Sequence, residues 1–517
     1  MKRLYEGAKL SRLTADWLAG GTSADAEIRS SMVRLRNRAR QVIRDSDHAK
    51  AAIRTIKNNV ISTGIKMQMQ VMMQRAKRAR DSKPRQDDLT NSRIERAWAA
   101  WCAAEVCHTG GTLAFQDIEE LVITGPAECG EILVRLVPQA FGGGRAPLAL
   151  ELIEADQLDE TIDGVSNVPG QQVTGGEWRL GVHVDEWRRP VEYAFLTRHP
   201  GDNRNGAAVG QRVIVPAEQI IHVFIPDRPG QSRGVTWFAS ALKQLHHLVG
   251  YQEAEVVRAR AASSLMGFIT TDSGAGEELG EEVVDGEHVT TFEAGVYKTL
   301  FPGQSVTVPD LHSPDGQFEP FVRVMLRGMA AGLGVSYESI SRDFSQTNYS
   351  SSRLAILEDR ENWRALQQRV IRMFHQRVFK AWLRAAVGSG ELSLPGYQQE
   401  PERFESAVKW VARGWEWVDP EKEGKAYQMA VRNGFMTQAE VVMSRGGDYH
   451  EFIQQRAAEI AEQEELGLMF DTNPVYVSSS GVTQARPAGS EVLADASDSS
   501  SESPDDPPAE PPSDGAP

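Results

Sequence analysis

The chain has 517 residues, 41% hydrophobic and 25% charged, with 45 glycines and 25 prolines, a balance that excludes fibrous and wholly disordered classes. At roughly 100 to 200 residues per domain, this length implies three or four structural regions. The formal charge is −15, and since phosphate binding grows with cationic contacts, bulk charge does not bring this protein to nucleic acid. The charge is uneven: residues 1–96 hold 22 Lys and Arg against 10 Asp and Glu, whereas residues 487–517 hold 8 acids and no base.

Met1-Lys2-Arg3 opens like a signal peptide, but Glu6, Lys9, Arg12 and Asp16 interrupt the next stretch, so no apolar core follows and the product is expected to stay where it is made. No segment approaches the roughly 18 apolar residues of a membrane crossing. Residues 29–60 set Val33, Ile43, Ile53, Ile56 and Val60 among arginines, which predicts helices ending at Thr63-Gly64. Ile65, Met67, Met69 and Val71 then alternate with polar residues, the period of a strand with four apolar side chains on one face. Cys102, Cys107 and Cys129 are odd in number and too sparse for a disulfide framework, which fits a reducing compartment.

From about 110 to 225 the texture is β-rich. Residues 131–137 and 148–153 flank Gly142-Gly143-Gly144, and 181–185 and 191–195 flank Trp187-Arg188-Arg189-Pro190, so two strand pairs are predicted. From Val235 apolar residues recur every three or four positions to about Ser264, the spacing of a helix roughly 40 Å long. Residues 272–293 carry eight acids and neither Lys nor Arg. A helix is predicted over 318–332, then a polar stretch, Ser345, Gln346, Thr347, Asn348, Tyr349, Ser350, Ser351 and Ser352. From Arg353 to about residue 386 a long amphipathic helix is predicted, with Leu354, Leu357, Trp363, Leu366, Val370, Phe374, Val378 and Trp382 on one face, Ser351 or Ser352 as its cap, and Gly388 and Gly390 as its stop. Residues 400–468 read as further helices, and the Ser, Pro, Asp and Glu tail from about Ser478 has too little apolar surface to offset ordering entropy.

No constellation argues for catalysis. The triple glycine lacks the Gly-Lys-Ser/Thr of a phosphate loop. Cys102, Cys107, His108 and Cys129 lack the two-plus-two spacing of a zinc site, so no metal is expected there. Asp156 and Asp159 could be a carboxylate pair for acid–base or two-metal chemistry, but such acids more often cap a helix or bond a turn. His246 and His247 face different directions on a helix, and Ser350 to Ser352 sit in no nucleophile frame.

An ordered set of segments gives the chain a wider resemblance. Gln219-Ile-Ile-His-Val-Phe224, Arg228-Pro-Gly-Gln-Ser-Arg-Gly234, Ala331-Gly-Leu-Gly-Val335 and Asn348-Tyr-Ser-Ser-Ser-Arg353 resemble the portal proteins of tailed phages, in particular the lambda-like branch. Residues 34–59, Pro126-Ala-Glu-Cys-Gly-Glu131, residues 150–158, Trp417-Val-Asp-Pro-Glu-Lys422 and Gly434-Phe-Met-Thr437 support it in family order. The resemblance implies an α+β portal fold and a ring of twelve subunits at one capsid vertex, without enzymatic activity and without cofactor or metal. Viral double-stranded DNA would pass through its axial channel, inward in packaging and outward on ejection. On that template residues 1–29 are an N-terminal arm, 30–235 the wing, 236–264 a stem helix, 265–317 the clip and 318–333 a second stem helix. Residues 334–352 are the tunnel loop, 353–399 a long basic helix returning to the wing, 400–470 a helical crown and 471–517 a disordered acidic tail.

Partners implied are the terminase large subunit, a head-completion or tail adaptor, and the major capsid and scaffold proteins, in the host cytoplasm during assembly and then in the virion. Net negative walls suit a channel, because every cation laid on a phosphate would brake sliding. The loop from Ser345 to Ser352 is expected to touch passing duplex without base readout; a polar connector without DNA contact is the other reading. Glu277, Glu278, Glu281 and Glu282 are expected on the clip, offering carboxylates to terminase or adaptor, with plain solvation as the alternative. Arg228 and Arg233 are expected to contact the neighbouring subunit or to hold the start of the stem, in a ring whose closure needs a heterologous interface, with a simple turn that has no such role as the other reading. The competing classes are a metal-dependent nucleic-acid enzyme using Asp156 and Asp159, and a capsid or adaptor protein with no channel.

Overall fold

A computed structural model describes residues 12, 20–73, 86–165, 168–202, 211–263, 268–271, 282–284, 287–289, 304–307, 318–345, 348–415 and 420–468. The chain divides into two compact units, residues 1–447 and 448–517. The first opens with helices α1 (Ala24–Asp45) and α2 (Asp47–Val60), and Ser46 between them caps the second through its hydroxyl. Strand β1 (Lys66–Met69) follows, then helices α3 (Asp88–Trp101), α4 (Ala104–Cys107) and α5 (Phe115–Cys129).

The β-rich region holds seven strands in two antiparallel sheets. Strands β2 (Glu131–Val137) and β3 (Ala149–Ile153) form the hairpin expected around the triple glycine. Strands β4 (Glu177–Arg179), β5 (Val182–Val184), β6 (Pro190–Leu196) and β7 (Arg212–Pro216) make a four-stranded sheet in chain order; β5 and β6 were legible in the sequence, and the edges were not. Strand β8 (Ile220–Phe224) returns beside β2, giving the order β3-β2-β8. Leu133, Ile153, Val182, Tyr193, Phe195 and Val215 from both sheets share one apolar cluster.

Helix α6 spans Leu242–Ser263, starting seven residues after the expected Val235. The approach is a run of turns tied to the end of α5, where Thr236 Oγ1 and Trp237 N both donate to the Ala127 carbonyl. Beyond α6, strand β9 (Phe268–Thr271) pairs with β12 (Gln304–Thr307), and β10 (Glu282–Val284) with β11 (Glu287–Val289). Helices α7 (Phe318–Leu333), α8 (Tyr337–Ser341), α9 (Tyr349–Val370) and α10 (Gln376–Gly388) follow, then α11 (Pro401–Glu405), strand β13 (Val408–Val411), α12 (Pro420–Arg432) and α13 (Gln438–Ser444). In the second unit, α14 (Tyr449–Glu465) is capped by the Asp448 carboxylate.

Three sequence expectations need correction. The helix expected from Arg353 begins at Tyr349, where Ser352 N donates to the Asn348 carbonyl, so Ser351 and Ser352 lie inside the first turn and do not cap it. That helix is also not continuous: a π-turn at Ile371–His375 inserts a residue and points His375 inward. Its proposed face is buried only from Trp363 onward, while Leu354 and Leu357 are 67% and 42% exposed. Finally, a strand stands where only helices were read. Strand β13 pairs antiparallel with β1, Met67 opposite Trp410, because the alternating β1 edge needs a partner for its backbone groups.

The main core gathers where these elements meet. Trp98 of α3 lies 5.0–5.9 Å from the rings of Trp101, Phe115, Phe379, Trp382 and Trp410, joining α3, α5, α10 and β13 in one aromatic knot. At its edge the buried Glu119 carboxylate accepts the Ile65 amide and meets the His375 ring turned in by the π-turn.

Candidate functional site

The two helices α6 and α7 run antiparallel: Gly332 faces Ser240, Gly328 faces Gln244, and Tyr251 packs 5.6 Å from Phe318 and 4.7 Å from Phe321. Leu242, Leu245 and Leu248 root α6 in the core, but between Val249 and Arg260 no side chain is buried. Helix α7 mirrors this, exposed at Phe318, Phe321 and Val324 and buried at Leu326, Met329 and Ala330. The pair therefore projects outward from its root.

From its root α7 turns at Gly334 into a loop held by one carboxylate. Asp359 of α9, 7% exposed, accepts Ser336 N at 2.9 Å, the Ser336 hydroxyl at 2.6 Å and the Ser339 hydroxyl at 3.0 Å. Asn362 Nδ2 adds a bond to the Gly334 carbonyl. The free end is ordered by Asp343, which accepts Ser345 Oγ at 2.6 Å, Ser345 N at 3.0 Å and Tyr337 Oη at 3.0 Å. Those bonds from the Ser345 hydroxyl, the Ser345 amide and Tyr337 hold the Asp343 carboxyl below its ordinary value.

Of the residues expected to face a channel, Ser345 and Asn348 are exposed in this loop, Gln346 and Thr347 lie outside the described residues, and Tyr349, Ser350, Ser351 and Ser352 form the first turn of α9. Of the clip acids, Glu277, Glu278 and Glu281 lie outside the described residues, and Glu282 begins β10.

The Arg228–Gly234 motif has a different place from the one expected. Arg233 is fully buried, with Nε 2.7 Å from Glu131 Oε1, Nη1 donating to Leu180 O at 2.7 Å and Nη2 to Ala155 O at 2.9 Å. A guanidinium enclosed by its own chain does not reach a neighbour, which does not fit the subunit-contact reading of Arg233; it ties the segment leading into α6 to the β-rich region. Arg228 stays half-exposed and donates to Glu27 at 2.8 Å and to Thr22 O at 3.0 Å. Glu131 also accepts Gly234 N at 2.9 Å and lies 2.9 Å from His222 Nε2. Burial alone would raise the Glu131 carboxyl, but Arg233 and His222 hold it well below its ordinary value. Gly130 completes the lock: its φ is +96°, and a Cβ there would lie 2.6 Å from the Gly234 and Val235 backbone.

The carboxylate pair does not converge. Asp156 is held by Arg36 at 3.2 Å and Arg40 at 2.6 Å, and Asp159 by Arg212 and the Thr161 hydroxyl. Among the described residues the grouping nearest to a metal-ligand set is Glu154, Asp156 and His199, and the Arg40 guanidinium already donates to both carboxylates. Burial raises the thiols, Cys107 to about 12 and Cys129 to about 11, so both are neutral at pH 7.

Comparison with known proteins finds phage portal proteins. The chain is 29% identical over 502 residues to a protein of Halomonas phage phiHAP-1 described as "Probable portal protein", covering 94% of this chain and 92% of that one. It is 26% identical over 329 residues to portal protein B of Escherichia phage lambda, covering 58% of this chain and 59% of that one. The neck of an empty gene transfer agent particle contains a chain with a TM-score of 0.38 and 13% identity, covering 82% of this chain and 94% of that one. The family model for phage portal proteins of the lambda family matches residues 10–367. The chain belongs to that family, whose general role is to carry viral DNA through a capsid vertex.

Proposed function

We propose that copies of this chain close into a twelve-fold ring at one capsid vertex, with the Asp343-ordered loop turned to the DNA and the 265–317 excursion turned to terminase and then to the adaptor. The observation that carries this reading is the projecting pair α6 and α7, rooted in the core and carrying six large, partly exposed apolar side chains on its outer part. Val249, Val256 and Val257 on α6 are 40–58% exposed, and Phe318, Phe321 and Val324 on α7 are 38–66% exposed. Apolar side chains lined along a helix pair in an otherwise acidic protein suit a neighbour's helices, and a neighbour meeting a different patch gives the head-to-tail contact that closes a ring.

In this reading the loop does no chemistry. Ser345 and Asn348 are exposed and polar and add no positive charge, so passing duplex is guided and not held. The wing lock at Glu131 and Arg233 keeps the stem's root fixed while the loop moves. Negative-stain electron microscopy of the purified chain tests the proposal: top views with rotational symmetry about a central hole are expected, and a monodisperse monomer under assembly conditions overturns it. Acidic clip residues docking terminase predict that Glu277→Lys with Glu278→Lys weakens docking most at low salt.

A further inference from the structure

A separate cleft opens on the β-rich region, lined by no residue of the channel loop or of α6 and α7. Asp185, just after β5, tightens the turn into β6: its carboxylate accepts the Trp187 and Arg189 amides, each at 2.8 Å. The turn holds Arg188 at a φ of +62°, a left-handed conformation unfavourable for a residue with a side chain. On the facing loop Gly230 leaves room for that side chain, since a Cβ there would lie 2.3 Å from Arg188 Nη1. Gln231 fixes this loop, accepting the Asp227 amide at 2.9 Å and donating to the Arg233 carbonyl at 2.8 Å. From the first turn of α10, Arg377 lines the same cleft and donates to the Ile220 carbonyl at 2.9 Å.

The cleft has a volume of about 230 Å³, with apolar walls at Val182, Val184, Pro190 and Phe224. No carboxylate lines it, and among the described residues neither Arg188 nor Arg377 has an acidic partner. Glu131 is engaged inside the body by His222 and Arg233. Tyr193 also lines the cleft. It is 3% exposed, with its ring 6.1 Å from Phe195 and 5.7 Å from His222, yet its hydroxyl has no hydrogen-bond partner among the described residues. Burial pushes the Tyr193 phenol above its ordinary value although Arg377 pulls it down, so at pH 7 the hydroxyl keeps its proton to donate. Two guanidiniums and an unused hydroxyl around one carboxylate-free cleft are donors in excess of acceptors, and a buried donor left unpaired costs free energy that a ligand recovers.

We propose that this cleft is a socket for an acidic side chain of the neighbouring copy, whose carboxylate accepts from Arg188, Arg377 and Tyr193. The inference rests on the ring proposed above. The apolar walls suit the methylenes of such a side chain, and a planar guanidinium matches its carboxylate. A second copy fits by charge: each carries 71 acids against 56 bases, so like copies repel in bulk, and a basic socket turns one of the neighbour's acids into an attraction that fixes register. A patch that meets a different patch is also what head-to-tail closure requires.

Sedimentation velocity of the full chain over a concentration and salt series tests the socket. Arg188→Gln with Arg377→Gln is expected to raise the concentration at which half the chains are in rings by about tenfold or more at low salt, with the gap narrowing as salt rises. Tyr193→Phe removes a hydroxyl that the subunit itself does not use, so it is expected to raise that concentration about threefold or more at an unchanged urea midpoint, and it keeps the test decisive where the arginine variant does not fold. Rings in the parent that form at the same concentration and salt in both variants overturn the inference and leave the ring standing. A parent that is monomeric throughout overturns the ring and the inference together. Weaker rings accompanied by a lowered urea midpoint in Tyr193→Phe also overturn it, by showing that the hydroxyl serves the subunit's own fold.

Discussion

The body around Glu131 and the helix pair α6 and α7 differ in what completes them. In the body, one buried carboxylate satisfies Arg233, His222 and the Gly234 amide, and arginines from α1 close over the next acids, so the polar groups find their partners within one chain. On the projecting pair, Val249, Val256, Val257 and Val324 are 40–66% exposed, and Phe318 and Phe321, packed on Tyr251, remain 38% and 43% exposed. The first region specifies the subunit, and the second leaves surface for another molecule to cover.

The largest effects are expected where the body is most enclosed. Glu131→Gln leaves a buried guanidinium without its counter-charge, a change that costs about 3–5 kcal/mol. Trp98→Ala empties the aromatic knot and costs about 3–5 kcal/mol by cavity formation. Urea denaturation separates the two by pH. The folded Glu131 carboxyl is depressed, so its contribution is full above its ordinary value of 4.5 and is lost as the pH falls from there toward the lower folded value. Glu131→Gln therefore flattens the acid limb of stability below about pH 4.5, whereas Trp98→Ala lowers the whole curve and leaves its shape. An acid limb unchanged in Glu131→Gln would remove the ion pair from the account.

A middle effect is expected at the boundary between the regions. Asp359→Ala strands the Ser336 amide and the Ser336 and Ser339 hydroxyls, at about 1–3 kcal/mol for partly buried donors. The loss is local, so limited proteolysis between residues 342 and 348 should quicken before global unfolding shifts. Equal protection in variant and parent would show that the loop is held by something other than Asp359.

What was legible in the sequence follows the same division. Periodicity marked α1, α2, α7, the β2–β3 hairpin and the β5–β6 pair, because each declares its apolar face within a few residues. It missed β13, whose four residues become a strand only beside β1, some 340 positions earlier. It missed the π-turn, since one inserted residue leaves apolar spacing almost unchanged while it turns His375 toward Glu119. Arg233 could be read only as one of several alternatives, because its partner Glu131 stands about a hundred residues away in the sequence.

The smallest effect on the subunit is expected from the change that most affects assembly. Val256 and Val324 are 51% and 66% exposed, so Val256→Asp with Val324→Asp removes no buried contact and should shift the stability of the isolated chain by no more than about 0.5 kcal/mol per site. In a ring both positions would be covered, and two carboxylates buried there without partners would cost several kcal/mol at every interface. Sedimentation velocity should therefore show monomers where the parent forms a large ring, with the same urea midpoint for both chains dissociated. Rings that persist with both substitutions would mean that the apolar face of the projecting helices is not where subunits meet, and the bare Leu354 and Leu357 at the start of α9 would become the next surface to test.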